Sequence, residues 1–182
     1  MNCIIWRIET PISIFGLLGD FKDAGTESLE QDEFILTAAK QEIKRLRNTY
    51  PNTNFHLFQR KRQWNPSEGI WMGWERKRGK LVEFVELLKG RKDTSFAFIE
   101  ADLTLLKDVR YIVTLDSDTQ LPLESAQRMI GTLYLPYNQP ILNEAKTRVV
   151  EGYGVLQPRI SMSHEASMKS RFCPSLVNRF RG

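Results

Sequence analysis

Two carboxylates one residue apart, Asp116 and Asp118, follow directly on the run Tyr111-Ile-Val-Thr-Leu115. A short, β-branched, apolar run of this kind reads as a buried strand. In open α/β sheets, ligands bind beyond the carboxyl ends of the strands. A D-x-D turn at that place can converge two hard oxygen ligands on a divalent cation that keeps room for substrate phosphates. A plainer reading also stands, in which Asp116 caps the next helix and Asp118 is a solvated turn residue. The second chemistry-bearing group is the basic run Arg76-Lys-Arg-Gly-Lys80. Cations at a helix N-terminus suit a diphosphate, although Lys and Arg stems also cover apolar surface on a solvated face. Trp64, Trp71 and Trp74 crowd one stretch, where their faces can stack on sugars or anchor a loop. Asp20 and Asp23 follow an earlier strand and can meet a ribose or base, or simply shape the turn.

Other chemistries fail on spacing. A phosphatase D-x-D-x-T needs threonine where Gln120 stands. From Gly73 to Gly79 is one residue too long for a phosphate-binding P-loop, and Leu81 replaces its Ser or Thr. His164-Glu165 begins like a zinc-protease motif, but its fifth position is Met168. With His56 as the other histidine, a His-based zinc site is not supported. No serine sits in a G-x-S-x-G elbow.

The elements that must position these residues alternate between strand and helix periods, which argues for α/β layering. A buried strand is expected over 12–18, followed by a polar loop over 20–25. Ser28 and Gln31 have capping-box spacing. Behind them Phe34, Ile35, Ala38, Ala39, Ile43 and Leu46 recur as one helical face. A strand over 55–58 runs into a basic loop over 60–62, and 63–74 reads as an ordered loop anchored by tryptophans. Leu81, Phe84, Val85 and Leu88 mark a second helix, with Gly90 at C′. Strands are expected over 96–99 and 111–115. Pro122 suits the N1 position of a third helix carrying Ala126, Met129, Ile130 and Leu133. A loop over 138–148 and a strand over 153–156 follow, and residues 161–182 read as a loosely organised tail.

Composition sets the frame. The chain has 182 residues, 41% of them hydrophobic and 26% charged, which fits one globular domain and excludes a disordered chain. The net charge of +4 permits phosphate-bearing partners, but no nucleic-acid motif accompanies it. Cys3 and Cys173 form neither a disulfide framework nor a metal clip, which favours a reduced, cytosolic setting. No 18-residue apolar run exists, so a soluble chain without a membrane span is expected. The opening residues lack the basic region of a signal peptide.

Three long stretches together resemble one family. They are Trp64-Asn-Pro-Ser-Glu-Gly-Ile-Trp-Met-Gly-Trp-Glu-Arg-Lys-Arg-Gly-Lys-Leu81, Tyr111-Ile-Val-Thr-Leu-Asp-Ser-Asp-Thr-Gln-Leu-Pro122 and Val150-Glu-Gly-Tyr-Gly-Val-Leu-Gln-Pro-Arg159. The likeness is to the glycosyltransferase domain of the cyclic β-1,2-glucan synthases, very large bacterial inner-membrane enzymes related to processive transferases. It runs over roughly 15–182. It implies a GT-A type α/β sandwich around a central, mostly parallel sheet, incomplete at both ends, forming a single partial domain. Residues 1–14 are atypical, 15–160 form the donor-binding core, and the tail follows.

The resemblance further implies glucose transfer from UDP-glucose to a growing β-1,2-glucan, a hexosyltransferase activity of the parent protein at the cytoplasmic face of the inner membrane. Asp116 and Asp118 would hold Mg²⁺ or Mn²⁺. Asp20, Asp23, Arg76, Lys77, Arg78, Gly79, Lys80 and Asp116 would serve the donor, with Asp20 toward uridine. Trp71, Trp74, Gln157, Pro158 and Arg159 would lie toward the acceptor. Inverting transfer also needs a general base. In the family it lies beyond the Gln-Pro-Arg segment, so it is expected past Gly182, with Glu151 a conceivable stand-in. An isolated chain of this kind is expected to be inactive or weakly active and to depend on the parent's remaining domains. The family's first strand is missing from the sequence pattern, which leaves part of the uridine pocket to be remade by 4–8. An exposed sheet edge there would favour a homodimer. The alternative function is a non-catalytic remnant or interaction domain whose basic surface meets acidic lipid or a partner domain.

Overall fold

The computed structural model describes residues 2–6, 13–107 and 109–158, with the backbone alone for 2–6 and 13. Arg159 and the tail from 161 lie outside the described residues, as do 7 and 8. The chain divides into two compact units, Met1–Leu123 and Glu124–Gly182.

The first unit is built on five strands: β1 (Asn2–Trp6), β2 (Ser13–Asp20), β3 (Asn54–Arg60), β6 (Phe96–Glu100) and β7 (Tyr111–Leu115). Between β3 and β6 lie a short ribbon, β4 (Gln63–Asn65) and β5 (Ile70–Met72), and helix α2 (Arg76–Leu88). The main sheet has the order β6-β3-β2-β1-β7. Only β2 and β3 pair in parallel, and the other three pairings are antiparallel. The expected mostly parallel sheet is therefore a mixed one, within an α/β fold. The reason is local for β1. Six residues separate it from β2, and a connection that short can only fold back antiparallel, since a parallel crossover needs a dozen or more. β1 also pairs on both sides, with β2 and with β7. The slot between β2 and β7 is thus filled by 2–6, and among the described residues β6 and β7 are the edges of the sheet.

Because β1 opposes both neighbours, β2, β3 and β7 run in one direction and end at one border of the sheet. Leu17 and Leu115 both register with Asn2, and Asp20 registers with Arg60. Asp116 therefore leaves β7 at the border where β2 ends in Asp20 and β3 in Arg60. The core on one face of this sheet is Ile14, Leu18, Phe58, Phe84, Phe96 and Leu106. Phe58 meets Phe84 edge-on at 5.0 Å, and Phe96 stands 6.1 Å from each. Such edge-to-face contacts add to area burial and fix α2 against β3 and β6.

Helix α2 ends as expected. Gly90 has φ +94°, its N–H meets the Leu87 carbonyl, and the Arg91 N–H reaches back to Glu86. That is a Schellman closure, with glycine at the left-handed position.

Helix α1 (Glu30–Thr49) departs from its reading. It starts one residue later than the Ser28 box would have it, with Leu29 at the N-cap. Leucine offers no acceptor, so only the return half of a box forms, from the Leu29 N–H to Asp32 at 2.8 Å. Ile43 is buried, but Phe34 is 79% and Ile35 49% exposed. The deeply buried N-terminal side chain is Asp32, drawn in by an arginine described below.

The basic loop expected over 60–62 is likewise not a surface loop. Arg60 and Arg62 are among the most buried side chains of the unit. The tryptophan stretch is a β-ribbon: Trp64 and Trp71 face each other across β4 and β5 at 5.9 Å. Its turn closes through Asn65, which accepts from Gly69 and, by its side chain, from Ser67.

In the second unit, α3 (Ser125–Tyr134) buries Ala126 and Ile130. Pro122 lies before it rather than at N1, because the helix starts only after a left-handed Glu124. A 3-10 turn (Pro136–Asn138) and a two-stranded ribbon, β8 (Ile141–Leu142) with β9 (Val149–Glu151), follow. Residues 153–156 form no strand. The Tyr153 N–H goes instead to the Asn138 carbonyl, behind Gly152 at φ +72°.

Candidate functional site

Strand β3 delivers Arg60 to the sheet border with no exposed side-chain surface. A buried guanidinium must be matched by acceptors at all its donors. Here Nε donates to Asp20 Oδ1 at 2.7 Å, and Nη1 donates to Glu83 Oε2 at 2.9 Å and to the Trp74 carbonyl at 3.0 Å. Nη2 donates to the Arg76 carbonyl at 2.9 Å. Lys80, also buried, stands 2.8 Å from the second oxygen of Asp20. Glu83 in turn accepts from the Ser95 N–H and hydroxyl.

Burial pushes the Asp20 carboxyl up, but hydrogen bonds and charge from Arg60 and Lys80 outweigh it and hold the group below the usual range. Burial likewise works upward on Glu83, and Ser95 and Arg60 bring it below.

This network fixes an unusual entry into α2. Glu75 and Arg76 both have left-handed backbones, φ 44° and 47°. Each such non-glycine residue costs roughly 1–3 kcal/mol and persists only when its surroundings dictate it. Arg60 supplies that constraint by gripping the carbonyls of Trp74 and Arg76. Two glycines admit the close approach. A Cβ on Gly73 would lie 2.8 Å from the Arg60 guanidinium, and one on Gly79 only 2.1 Å from the Trp74 carbonyl. The ribbon is tied to the loop after β2 by paired backbone bonds between Ala24 and Trp71, both 2.9 Å.

A second buried arginine, Arg62, pins the same loop to α1. It makes a two-pronged contact with Asp32 and donates to the Lys22 and Glu27 carbonyls. Its hydrogen bonds to Asp32 hold that carboxyl below its ordinary range, against burial.

The sequence-derived residues fall into two groups. Asp20 and Lys80 are inside the network: both Asp20 oxygens are committed, which gives it a positioning place in this arrangement. Gly79 lies under the Trp74 ring. The exposed group is Arg76, Lys77, Arg78, Asp116 and Asp118, with Asp23 half-buried beside Arg76. Arg76 bridges Asp23 and Glu68, both at 2.9 Å, and Arg78 leans on Glu75 at 3.3 Å.

Lys77 reaches from the first turn of α2 to the carboxylate of Asp116, at 2.6 Å from Oδ1 and 2.8 Å from Oδ2. The basic cluster and the D-x-D turn are thereby joined. Asp116 does not cap α3, which starts nine residues later; its carbonyl instead accepts the Thr119 N–H at 3.1 Å. Asp118 is exposed and makes no ion pair among the described residues.

Trp74 is 45% and Trp64 50% exposed beside a cleft of 470 Å³ that also includes Glu68 and Arg76. Trp71 is half-buried against Trp64. A larger cleft, 610 Å³, lies at the opposite end of β3 beside His56 and Asp102, away from these groups. Gln157 and Pro158 belong to the second unit, in irregular chain. Glu151 ends β9 there and is exposed.

Sequence reading missed the part played by Arg60, Arg62 and Glu83. The available signal was the placement of Arg60 and Arg62 at the end of an apolar strand with acidic residues at Asp20 and Asp32 to receive them.

Comparison with known proteins bears on this arrangement. Over 152 residues, 82% of its length, the chain is 43% identical to the cyclic beta-(1,2)-glucan synthase NdvB of Rhizobium meliloti (strain 1021). The chain is related to a part of that synthase. The matched stretch amounts to 5% of NdvB. No protein-family model matches the chain. Among the described residues, no helix is long and apolar enough to cross a membrane.

The donor set at the sheet border suits a hard cation on chemical grounds. It offers carboxylate oxygens at Asp116 and Asp118, and an ammonium group already stands at the mouth of one of them. Among the described residues no third His, Cys, Asp or Glu joins the pair. Magnesium-like ions are commonly held by one or two carboxylates, with the substrate's phosphates completing the shell.

Proposed function

We propose that this chain binds the nucleotide-sugar donor of a glycosyltransferase that builds a β-1,2-glucan, as the NdvB relationship and the sheet-border geometry jointly support. The donor on this reading is UDP-glucose. Asp116 and Asp118 would hold Mg²⁺ or Mn²⁺, which when bound offsets the charge of the diphosphate and of the leaving nucleotide. Lys77, Arg78 and the first turn of α2 face the same phosphates. Asp20, Lys80, Arg60 and Glu83 hold that turn in position, and Asp23 fixes Arg76. The single observation that carries the reading is the Lys77–Asp116 contact, which brings the basic helix start onto the acidic strand end.

The exposed rings of Trp74 and Trp64 are suited to a sugar face. Trp71 supports Trp64, and we assign these rings to the acceptor glucan. The base that deprotonates the acceptor hydroxyl is assigned to the remaining domains of the parent enzyme, at the cytoplasmic face of the inner membrane. The isolated chain then binds donor but transfers glucose poorly.

Calorimetry with UDP tests the reading. Binding should be weak, should require Mn²⁺ or Mg²⁺, and should fall by about tenfold or more in Asp118→Ala, as removal of a metal-site residue does. Equal binding by both proteins, or binding indifferent to metal, would end the metal assignment.

A further inference from the structure

We infer that Lys77 is an exchangeable occupant of the cation site: it holds the Asp116 carboxylate while no metal is bound and passes to a phosphate oxygen when metal and nucleotide arrive together. The inference rests on the donor-site reading above.

Its basis is geometric. One ammonium nitrogen lies 2.6 and 2.8 Å from the two oxygens of Asp116, on the bisector where a chelated cation would sit. A divalent ion cannot use Asp116 in that manner until the lysine withdraws. Charge points the same way. The two carboxylates carry −2, and Lys77 reduces this to −1, so the turn attracts a dication less while the pair is closed. Once displaced, Lys77 still projects from the first turn of a 13-residue helix, where backbone N–H groups favour an anion. A diphosphate bridging the metal and that turn offers the freed ammonium a new partner.

Metal and nucleotide are therefore coupled through this side chain. Either one alone must leave a charge unpaired, whereas both together restore a partner to each. Reciprocity requires each ligand to raise the other's affinity by the same factor. Both side chains are half-exposed, at 57% and 50%. Exposed pairs are worth little, so the competing effect is about two- to fivefold in affinity.

The test is a titration of the whole chain with Mn²⁺, free metal being read by its paramagnetic resonance signal, with and without UDP. The wild type, Lys77→Gln, Lys77→Arg and Asp116→Asn are compared. Lys77→Gln should bind Mn²⁺ alone about two- to fivefold more tightly than wild type, and UDP should then improve metal binding by a smaller factor. Lys77→Arg, which keeps the charge, should track wild type, and Asp116→Asn should lose the site. If Lys77→Gln binds Mn²⁺ no more tightly than wild type while Asp116→Asn still loses it, the exchange is refuted and the donor site stands. An unchanged gain from UDP in Lys77→Gln refutes the transfer to phosphate. If none of the four proteins binds Mn²⁺ with or without UDP, both readings fall.

Discussion

Arg60 concentrates more of the structure in one side chain than any catalytic candidate does. It neutralises two carboxylates and caps two carbonyls of a left-handed turn, all without solvent. Removing one member of a buried ion network leaves the others unpaired, which costs about 3–5 kcal/mol. Arg60→Met should accordingly lower the urea midpoint sharply and abolish Mn²⁺-dependent UDP binding. Arg78→Met, at a side chain 81% exposed, should leave stability unchanged.

The same network sets an acid limit. Asp20 and Glu83 titrate lower in the folded chain than when unfolded, so their contribution is complete above the ordinary carboxyl values near about 4. It is lost as pH falls through the lower folded values. His56 acts at a higher pH. It is 4% exposed, and among the described residues neither ring nitrogen has a hydrogen-bond partner. Burial first, then Arg47, lower its pKa, against opposing pulls from Asp102 and from the nearby Glu100 backbone, which stands outside hydrogen-bond geometry. A depressed histidine stabilises fully above about 6.5 and loses that contribution as pH falls below it toward the folded value. Chemical denaturation should therefore show an early stability loss as pH falls below about 6.5 that vanishes in His56→Leu, while the carboxyl loss at lower pH remains. A wild-type stability flat from pH 7 to 5 would remove His56 from this account.

At the scale of elements, the start of α2 is the joint between fold and site. The ring and carbonyl of Trp74 lie so close to Gly79 that a methyl there must displace one of them. Gly79→Ala should cost about 1–3 kcal/mol, the range for forced overpacking. It should also weaken metal-dependent UDP binding while the far-ultraviolet circular dichroism spectrum stays native, because the helix itself continues past the clash. Unchanged binding would show that the entry geometry of α2 does not position the phosphate-facing groups.

Elements were legible where local signals agreed. Tyr111–Leu115 is β-branched, short and followed by a polar turn, and α2 carries both an apolar face and a closing glycine. They were misread where a buried ion pair took a place in the helical face that the apolar pattern does not show. Phe34 stands half a turn away from buried Ile43 and faces solvent, while Asp32, three turns before Ile43 on its own face, is the residue that Arg62 pairs with inside. The residues of the site were readable as a D-x-D and a basic run. Their division into an exposed set and a buried set was not, because Lys80 and Lys77 look alike in sequence and differ only in which aspartate lies within reach.

For the whole molecule, the antiparallel turn of β1 against β2 is local, but the insertion of β1 beside β7 is a long-range choice that no local pattern encodes. The second unit raises a different question. Every residue of β8 and β9 is exposed, and Tyr137 and Val155 are 75% and 84% exposed. An isolated two-stranded ribbon is marginal in water, and clustered exposed apolar side chains mark a surface that another partner covers. On the proposed function, that partner is the rest of the glucan synthase, since the matched stretch is so small a share of NdvB. The chain alone should then bind a hydrophobic dye strongly and scatter more light as its concentration rises. Tyr137→Ser combined with Val155→Ser should reduce both signals while leaving Mn²⁺-dependent UDP binding intact, since the donor residues belong to Met1–Leu123. A monomer at every concentration with no dye bound would mean that this surface is sealed within the chain itself, and the remaining domains would have to engage it elsewhere.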